Sequence, residues 1–229
     1  MLTGAGVSAE SGLATFRDSQ DGLWTDYRPE DLATPEAFAR DPKMVWRWYE
    51  WRRRKLRGAT PNPGHIALAE LERLLPGYTL ITQNVDGLHQ RAGSRNVIEF
   101  HGNITRTVCS NKPCPGQWQA DDEREPPVCR DCGHQLRPDV VWFGEAIPFQ
   151  AMQGALDALR ECDLFISIGT SSLVYPAAGM AAEVAARGAT VAEINPEATP
   201  LSSSADLLLA GRSGEVLPAV LATLTALPD

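Results

Sequence analysis

The stretch that decides the fold is TGAGVSAESG, residues 3–12. Gly4, Gly6 and Ala9 match a dinucleotide-binding turn in its Gly/Ala form, G-x-G-x-x-A. Glycines there let the backbone approach a pyrophosphate, and the N-terminus of the following helix favours negative charge. The motif alone is weak, because glycine-rich turns are common and the acidic residue expected about 20 positions on is missing. Only two residues precede it, so we expect a shortened first strand, either because the chain is truncated or because its start is set late.

Beyond this turn, apolar runs that end in polar or glycine residues alternate with helical patterns. Buried strands are predicted within residues 78–87, 96–103, 162–172 and 189–197. Helices are predicted over residues 63–75, 149–160, 177–187 and 214–227. This alternation indicates an α/β protein with a parallel sheet and helices on both faces.

Two segments interrupt the alternation. Residues 26–60 are helical and aromatic without strands, and residues 105–138 are rich in Cys, Pro and Asp. We expect a Rossmann-like large domain, made of residues 1–25, 61–104 and 139–229, and a small domain made of two insertions. Residues 26–60 would form its helical insertion and residues 105–138 its zinc-binding module.

The composition excludes several classes of protein. A net charge of −8 argues against general nucleic-acid binding. No run of about 18 apolar residues exists, and the chain opens without a basic segment ahead of an apolar one, so neither a membrane span nor a signal peptide is predicted. An apolar content of 43% and a mean hydropathy of −0.22 fit a water-soluble protein with a packed apolar core. We therefore expect a cytoplasmic protein that binds neither nucleic acid nor membranes.

Four of the five cysteines form two close pairs. Cys109 and Cys114 are followed by Cys129 and Cys132, an arrangement typical of a zinc ribbon. Four thiolates fill the tetrahedral shell of zinc, so we expect a structural Zn²⁺ without an open catalytic position. His134 could compete as a ligand but is not needed.

Polar residues follow several predicted strands, where α/β proteins bind ligands. A lone histidine is more often structural than catalytic, but His101 shares this predicted edge with other polar clusters. His65 and His89 lie in helical contexts and are expected to be structural. The clusters after the strands comprise Gln83, Asn84, Asp86, Gly169, Thr170, Ser171, Asn195 and Glu197. Simple turn chemistry is the alternative for the Gly, Ser, Thr and Asn residues among them.

An unusual helix, WRWYEWRRRK at residues 46–55, weaves arginines into aromatic residues of an acidic protein. Tyr49 and Arg52 are three positions apart and share a helix face. Trp48 and Trp51 can pack in the core. Arg53, Arg54 and Arg57 are expected on the solvated face.

Together these stretches resemble the sirtuins, which are NAD-dependent protein deacylases. The resemblance rests on order and spacing over almost the whole chain. The matching stretches are GAGVSAESGLATFR (4–17), TQNVDGLH (82–89), FHGN (100–103), the four cysteines, VVWFGE (140–145), GTSSLVYPAA (169–178) and INP (194–196). The chain departs from the family pattern in its short first strand and at Ala14, where many members have proline.

The resemblance implies a cleft between two domains that NAD and an acyl-lysine peptide enter from opposite sides. The acyl oxygen attacks the nicotinamide ribose, nicotinamide leaves, and the acyl group finishes on ADP-ribose. His101 is the implied general base on a ribose hydroxyl. The implied cofactor-binding residues are Gly4, Ala5, Gly6, Ser8, Glu10, Thr15, Phe16, Arg17, Trp24, Gln83, Asn84, Asp86, Gly169, Thr170, Ser171, Asn195, Glu197 and Ser213.

The implied partners are acylated-lysine proteins, whose backbone would be held as an added strand. The implied substrate-binding residues are Ala33, Tyr49, Arg52, Val141, Phe143, Gly144, Glu145, Val174 and Tyr175. The Tyr49–Arg52 pair and the small Ala33 resemble the class III type of sirtuin, which removes acidic acyl groups such as succinyl and malonyl. Guanidinium binds a carboxylate through two parallel hydrogen bonds, and a phenol can add a third.

Other functions use similar residues. A protein mono-ADP-ribosyltransferase also breaks the nicotinamide bond, and the sequence separates it poorly from a deacylase. A nicotinamide dehydrogenase is disfavoured because the dinucleotide turn lacks its acidic partner. A nucleic-acid-binding zinc ribbon is disfavoured by the acidic composition.

Overall fold

A computed structural model describes residues 1–13, 28–112, 114–116 and 124–226 of the chain. Among these residues it contains eight strands and nine α-helices. The strands are β1 (Leu2–Thr3), β2 (Leu80–Thr82), β3 (Val97–Glu99), β4 (Gly102–Cys109), β5 (Leu136–Val140), β6 (Leu164–Ile168), β7 (Thr190–Asn195) and β8 (Leu207–Ala210). The helices are α1 (Ala5–Ala9), α2 (Pro29–Leu32), α3 (Pro35–Arg40), α4 (Pro42–Gly58), α5 (Pro63–Leu74), α6 (Leu88–Ala92), α7 (Phe149–Arg160), α8 (Met180–Ala185) and α9 (Ser213–Thr225).

Six strands form one parallel sheet in the order β3-β2-β1-β6-β7-β8. Strands β2 and β3 follow β1 on one side of the sheet. The chain then crosses to the other side of β1, where β6, β7 and β8 are added in turn. This is the strand order of a Rossmann fold, in which the direction of building reverses between two central strands. Ligands bind at that reversal, beyond the carboxyl ends of the strands. The parallel α/β fold predicted from the alternation is confirmed.

Helices cover both faces of the sheet, and each face has its own core. Phe165 and Val191 pack with residues of α7 and α8 on one face. Leu80 and Ile168 pack with residues of α5 and α9 on the other. Strands that are buried on both faces have nearly continuous apolar sequences. The sequence therefore predicted these strands although apolar and polar residues do not alternate along them.

The predicted helical segment consists of α2, α3 and α4. Thr34 caps α3 by accepting from Ala37 N at 3.1 Å, and Asp41 caps α4 by accepting from Met44 N at 2.9 Å. Pro35 and Pro42 occupy the first helical position of each, where a missing N–H costs nothing. Helix α4 buries its aromatic face in a third core.

The antiparallel pair β4–β5 carries the cysteine-rich segment at one end. At the other end, Gly102 begins β4 immediately after His101. Gly102 has a φ of +81°, and a Cβ there would lie 2.2 Å from Asp139 O. Glycine is therefore required at this turn, and it divides the predicted strand 96–103 into β3 and the start of β4.

Two other expectations need correction. The predicted helix 177–187 is shorter, with a 3₁₀ turn at Ala177–Gly179 ahead of α8. Strand β8 was not predicted, because an apolar run of only four residues, LLLA, does not distinguish a strand from part of a helix. All four residues are exposed.

The assignment of residues 26–60 and 105–138 to a separate small domain stays a prediction. Among the described helices, none combines the length and the apolar character that crossing a bilayer requires.

Candidate active site

The loop after β1 and the loop after β6 meet at the reversal point of the sheet. Gly4 N donates to Ile168 O at 3.0 Å, and Gly6 N donates to Gly169 O at 2.8 Å. A Cβ on Gly6 would lie 2.7 Å from Gly169 O, and a Cβ on Gly4 would lie 2.7 Å from the Thr170 Cβ. The two glycines are thus already required by close packing of one loop on the other. Ala5, also in the predicted cofactor set, begins α1 at this junction.

Asn84, Ser8 and Asp86 form one hydrogen-bonded group beside this junction. The Asn84 amide donates to Gly4 O at 2.9 Å and to Ser8 Oγ at 3.2 Å. Ser8 Oγ donates to Asp86 Oδ2 at 2.7 Å, and Leu88 N donates to Asp86 Oδ1 at 2.9 Å. Three residues that the sequence assigned to the cofactor are therefore brought together from the ends of two neighbouring strands.

Thr170 connects the predicted residues on the β6 side. Gln83 Nε2 donates to Thr170 Oγ1 at 3.1 Å, and Asn195 Nδ2 donates to Thr170 O at 2.8 Å. Ser171 is half-buried next to Thr170, whereas Glu197 is exposed beyond the end of β7. Gln83, Thr170 and Asn195 thus line one continuous edge, and no contact joins Glu197 to them.

Glu10 and Ser213 meet away from that edge. Glu10 Oε2 accepts from Gly214 N at 2.8 Å and from Ser213 Oγ at 3.3 Å. The carboxylate therefore satisfies a backbone N–H in the first turn of α9, where negative charge is favourable. In this structure the two residues join α1 to α9.

His101 lies at the same edge, where β3 gives way to β4. Its Nδ1 is 3.1 Å from Gln83 O, and its own carbonyl accepts from Val141 N at 2.9 Å. A carbonyl can only accept, so Nδ1 carries a proton and, in the neutral ring, Nε2 is left as a base. Burial lowers the pKa of His101, although the Gln83 carbonyl acts to raise it. The lowered pKa favours the neutral ring at neutral pH.

His65 and His89 are buried behind Ser8. His89 Nε2 and Thr3 Oγ1 are 3.0 Å apart, and His65 Nε2 is 3.4 Å from Ser8 Oγ. Burial, together with neighbouring His65, lowers the pKa of His89 to about 3, so that ring stays neutral. Both histidines are buried, and their structural role stays a prediction. The contact of His65 with Ser8 was missed, because nothing in the helical pattern of α5 signals it.

Tyr49 and Arg52 lie on the inner side of α4. The Arg52 guanidinium carbon is 5.0 Å from the centre of the Trp48 ring and 5.8 Å from that of the Tyr49 ring. Burial lowers the pKa of Arg52, whereas Tyr49 and Asp86 act to raise it. Tyr49 is only 2% exposed, and Ala33 is buried in the same core. Arg52 is therefore not an ordinary surface arginine.

The expectation that Arg53 lies on the solvated face of α4 is wrong. Its side chain is only 12% exposed and donates to Ile104 O at 2.6 Å, Arg106 O at 2.8 Å and Thr107 Oγ1 at 3.0 Å. It ties α4 to β4. Arg54 and Arg57 are exposed, as predicted.

The predicted peptide-binding residues lie on two loops. Phe143 and Gly144 are exposed, and Phe143 N donates to Ala33 O at 2.9 Å. On the other loop, Val174 is half-buried and Tyr175 is 78% exposed. Val141 is the residue whose N–H meets His101.

Glu145 has a structural contact that the sequence did not reveal. Its carboxylate accepts hydrogen bonds from both terminal nitrogens of Arg137, each at 2.8 Å, and from Trp142 N at 3.0 Å. Burial acts to raise the pKa of Glu145, but these donors outweigh it and the pKa is lowered. Its carboxylate is thus used within the protein.

The four cysteines of the two pairs converge. Their sulfur atoms all lie within 4.8 Å of one another. Cys109 Sγ is 3.4 Å from Cys132 Sγ, and Cys114 Sγ is 3.6 Å from Cys129 Sγ. Residues far apart in the sequence thus form one cluster at the end of the β4–β5 pair.

Comparison with known proteins gives the family. Residues 4–176 match the model of the Sir2 family. The chain belongs to the Sir2 family. It is 52% identical over 220 residues to NAD-dependent protein deacylase 2 of Pyrobaculum aerophilum, covering 95% of this chain and 87% of the relative. It is 51% identical over 209 residues to the NAD-dependent protein deacylase of Aquifex aeolicus, covering 90% of this chain and 86% of the relative.

Solved Sir2 structures share the fold. A crystal structure of a Sir2 homologue in complex with NAD matches with a TM-score of 0.91 at 49% identity, covering 98% of this chain and 88% of that one. A complex of Sir2 with a deacetylated p53 peptide and 3′-O-acetyl ADP-ribose matches with a TM-score of 0.85 at 32% identity, covering 97% of this chain and 91% of that one.

The Sir2-family cysteine cluster fits zinc. A tetrahedral zinc with Zn–S bonds of about 2.3 Å requires sulfur–sulfur distances of about 3.8 Å. Two of the sulfur–sulfur distances in the cluster, 3.4 and 3.6 Å, are close to this value. A Cβ on Gly116 would lie 2.2 Å from Cys129 Sγ, so the close packing of the backbone against the cluster leaves no space for a side chain at this position. The four cysteines could therefore hold a structural zinc without an open position.

The Sir2-family cofactor edge fits NAD by its donors and its location. Hydroxyl and amide groups of Ser8, Asn84 and Thr170 lie at the reversal point where Rossmann folds bind dinucleotides. Four further residues assigned to the cofactor from the sequence lie outside the described residues, namely Thr15, Phe16, Arg17 and Trp24.

Proposed function

We propose that the chain is an NAD-dependent protein lysine deacylase. NAD, when bound, supplies the ADP-ribose that accepts the acyl group and the nicotinamide that is released. The single observation that carries this is His101, a half-buried neutral imidazole at the edge of a Sir2-family sheet. The relatives named above are NAD-dependent protein deacylases, which supports the same reaction.

His101 acts as the general base. Its Nδ1–H is held by Gln83 O, so Nε2 is free to accept a proton from a hydroxyl. A pKa below the usual value for histidine keeps Nε2 unprotonated at neutral pH. The Nδ1 contact with Gln83 O orients the ring, and Val141 N holds the backbone of the same residue.

The Ser8–Asn84–Asp86 group orients the cofactor. Each of these side chains is already hydrogen-bonded to another, so their rotamers are set before any ligand arrives. Preorganised polar groups lose little conformational freedom on binding, which leaves more of the interaction energy for positioning. Gln83, Thr170 and Asn195 extend the same edge toward the second half of the sheet.

The substrates are acylated-lysine proteins, and acidic acyl groups are among those removed. Tyr49 and Arg52 offer a phenol and a guanidinium from one helix face, and the small Ala33 lies in the same core as Tyr49. A half-buried guanidinium among aromatic rings binds a carboxylate more strongly than a surface arginine does, because water screens it less. This arrangement supports removal of succinyl and malonyl groups in addition to acetyl groups. The mono-ADP-ribosyltransferase alternative gains no support from the relatives.

One experiment tests the proposal. Peptides with acetyl-, succinyl-, malonyl- or glutaryl-lysine are incubated with the protein, with and without NAD, and followed by mass spectrometry. We expect acyl loss only with NAD, together with acyl-ADP-ribose. His101→Ala should lower the rate by about 10²- to 10⁴-fold while circular dichroism stays unchanged. Label transfer from NAD to protein without acyl loss would overturn the proposal, and near-normal turnover in folded His101→Ala would overturn the role of His101.

A further inference from the structure

The Tyr49 hydroxyl is held by a tryptophan from the other side of the core. Trp142 Nε1–H donates to Tyr49 Oη at 2.9 Å, and both side chains are buried. A phenol has a single proton, and its oxygen here accepts the indole N–H. The phenol proton must therefore point elsewhere. Within the described part of the chain, no acceptor for it is recorded.

The indole itself is fixed on three sides. The Arg137 guanidinium carbon lies 3.4 Å from the centre of the Trp142 ring. Arg137 is in turn locked by its two-pronged pair with Glu145, and the same carboxylate accepts Trp142 N. The Phe38 ring packs on the indole with a centroid distance of 5.2 Å. Such a side chain can hold its donor in one direction, because each alternative rotamer would break several of these contacts.

The phenol is a donor at neutral pH. Burial raises the pKa of Tyr49 to about 12, although Arg52 and the Trp142 hydrogen bond act to lower it. The neutral hydroxyl therefore keeps its proton while the Arg52 guanidinium lies 5.8 Å from the same ring. A carboxylate can accept from both the phenol and the guanidinium, and its hydrogen bond to the guanidinium is charge-assisted.

We propose that Trp142 is a positioning residue for acidic acyl groups: by donating its indole N–H to the Tyr49 oxygen, it directs the phenol proton toward the acyl carboxylate. The inference rests on the proposed function, since it concerns how the same pocket distinguishes succinyl- from acetyl-lysine. Trp142 acts only through Tyr49 and does not touch the reacting atoms. Its effect should therefore appear in binding of the acidic acyl group.

A double-mutant cycle tests this. The ratio of kcat/KM for succinyl-lysine peptide to that for acetyl-lysine peptide is measured for wild type, Trp142→Phe, Tyr49→Phe and the double variant. Trp142→Phe should lower the ratio about three- to tenfold, the range for one hydrogen bond between neutral groups. The loss should come from a higher KM for the succinyl peptide with little change in kcat. In the Tyr49→Phe background, Trp142→Phe should have no further effect on the ratio.

Trp46→Phe is the matched control. Trp46 is a buried tryptophan on α4 with the Arg53 guanidinium carbon 5.1 Å from its ring, but it makes no recorded bond to Tyr49. It should leave the ratio within twofold of wild type. Equal losses for both peptides in Trp142→Phe, or additive losses in the double variant, would show that Trp142 merely supports the fold and would overturn the inference.

The proposed function and the inference fail differently. If wild type removes acetyl but not succinyl groups, the acidic-acyl proposal and the inference fall together, while deacylation stands. If Tyr49→Phe lowers the ratio but Trp142→Phe does not, the acidic-acyl proposal stands and the inference alone is overturned.

A second measurement does not depend on the folding of Trp142→Phe. The indole N–H signal of Trp142 in nitrogen-15 NMR spectra of wild type is identified as the one that moves in Tyr49→Phe. Succinyl-lysine peptide should shift that signal, because the phenol oxygen is polarised when its proton is donated to a carboxylate. Acetyl-lysine peptide should not. Equal shifts with both peptides, or no shift, would contradict the inference.

Discussion

Arg52 is the residue on which the proposed preference for acidic acyl groups depends most directly. It was expected on the Tyr49 face of a helix, and it lies against the Trp48 and Tyr49 rings in a half-buried position. Its neighbour Arg53 was expected in solvent and instead bonds to β4. Two adjacent arginines with the same chemistry thus differ in surroundings.

Arg52→Met should separate the two substrate classes. Charged hydrogen bonds contribute about 1.5–3 kcal/mol each, so kcat/KM for succinyl-lysine peptide should fall by roughly one to two orders of magnitude. Acetyl-lysine turnover should stay within a few-fold. Arg52→Lys should restore only part of the loss, because an ammonium cannot make the two-pronged contact.

Steady-state kinetics with both peptides check this, with the exposed Arg54→Met on the same helix as control. If both peptides lose activity equally, Arg52 supports the fold or the cofactor site and the acidic-acyl assignment is wrong.

The proposed role of His101 as general base predicts a pH dependence. Burial lowers its pKa below the usual value of about 6.5, so the neutral, active ring is present at pH 7 and is lost only as the pH falls through the lowered pKa. The acid limb of kcat/KM against pH should therefore lie below about pH 6.5. A limb above pH 7 in acetyl-lysine turnover would mean that His101 is not the titrating base.

At the scale of elements, the Arg53 side chain joins α4 to β4 through several hydrogen bonds. Arg53 reaches Ile104 O, Arg106 O and Thr107 Oγ1, and it pairs with Glu50 at 2.6 Å. These contacts cross from the helical segment to the ladder that leads to the cysteines. The charge pattern of the helix cannot reveal them, because acceptors on β4 are more than 50 residues away in sequence.

Arg53→Met should lower the free energy of unfolding by about 1–3 kcal/mol, because it removes hydrogen bonds from a charged, largely buried donor. Arg54→Met, from an exposed position, should change it by less than about 0.5 kcal/mol. Urea unfolding followed by circular dichroism checks both. Equal stabilities for the two variants would mean that the Arg53 contacts contribute little.

Across the whole molecule, the β4–β5 ladder joins the cysteine cluster to the active site. Cys109 ends β4 at one end, while His101 and Gly102 lie at the other. The partner strand β5 ends at Val140, and the next residue, Val141, donates to His101 O. Loss of order at the cysteines is therefore expected to reach His101 through this ladder.

Cys129→Ser, or a strong chelator acting slowly, should destabilise the cysteine-rich segment and lower deacylation of acetyl and succinyl peptides in parallel. The reason is that a four-thiolate zinc site contributes folding free energy directly. Metal analysis, thermal unfolding and turnover before and after zinc is added back provide the measurement. Absence of zinc from the purified protein, or wild-type thermal stability in Cys129→Ser, would show the structural-zinc assignment to be wrong.

The sequence by itself determined the fold class and the type of chemistry. Apolar runs such as 162–172 predict buried parallel strands, since a strand covered on both faces needs apolar residues at every position. The cysteine spacing predicted one metal cluster, and TGAGVSAESG together with the polar strand ends predicted a dinucleotide site. These are local patterns, set by periodicity and by the chemistry of adjacent residues. The cytoplasmic location and the absence of nucleic-acid partners remain predictions.

Only the tertiary structure decided which polar groups meet. Gly6 is required by the Gly169 carbonyl, Arg53 bonds to β4, and Trp142 holds the Tyr49 phenol from 93 positions away in sequence. Glu10 and Glu145, expected at ligands, are used within the protein by α9 and by Arg137. The physical reason is that a hydrogen bond depends on distance and direction between atoms, and for residues far apart in the chain those are fixed by packing of whole elements.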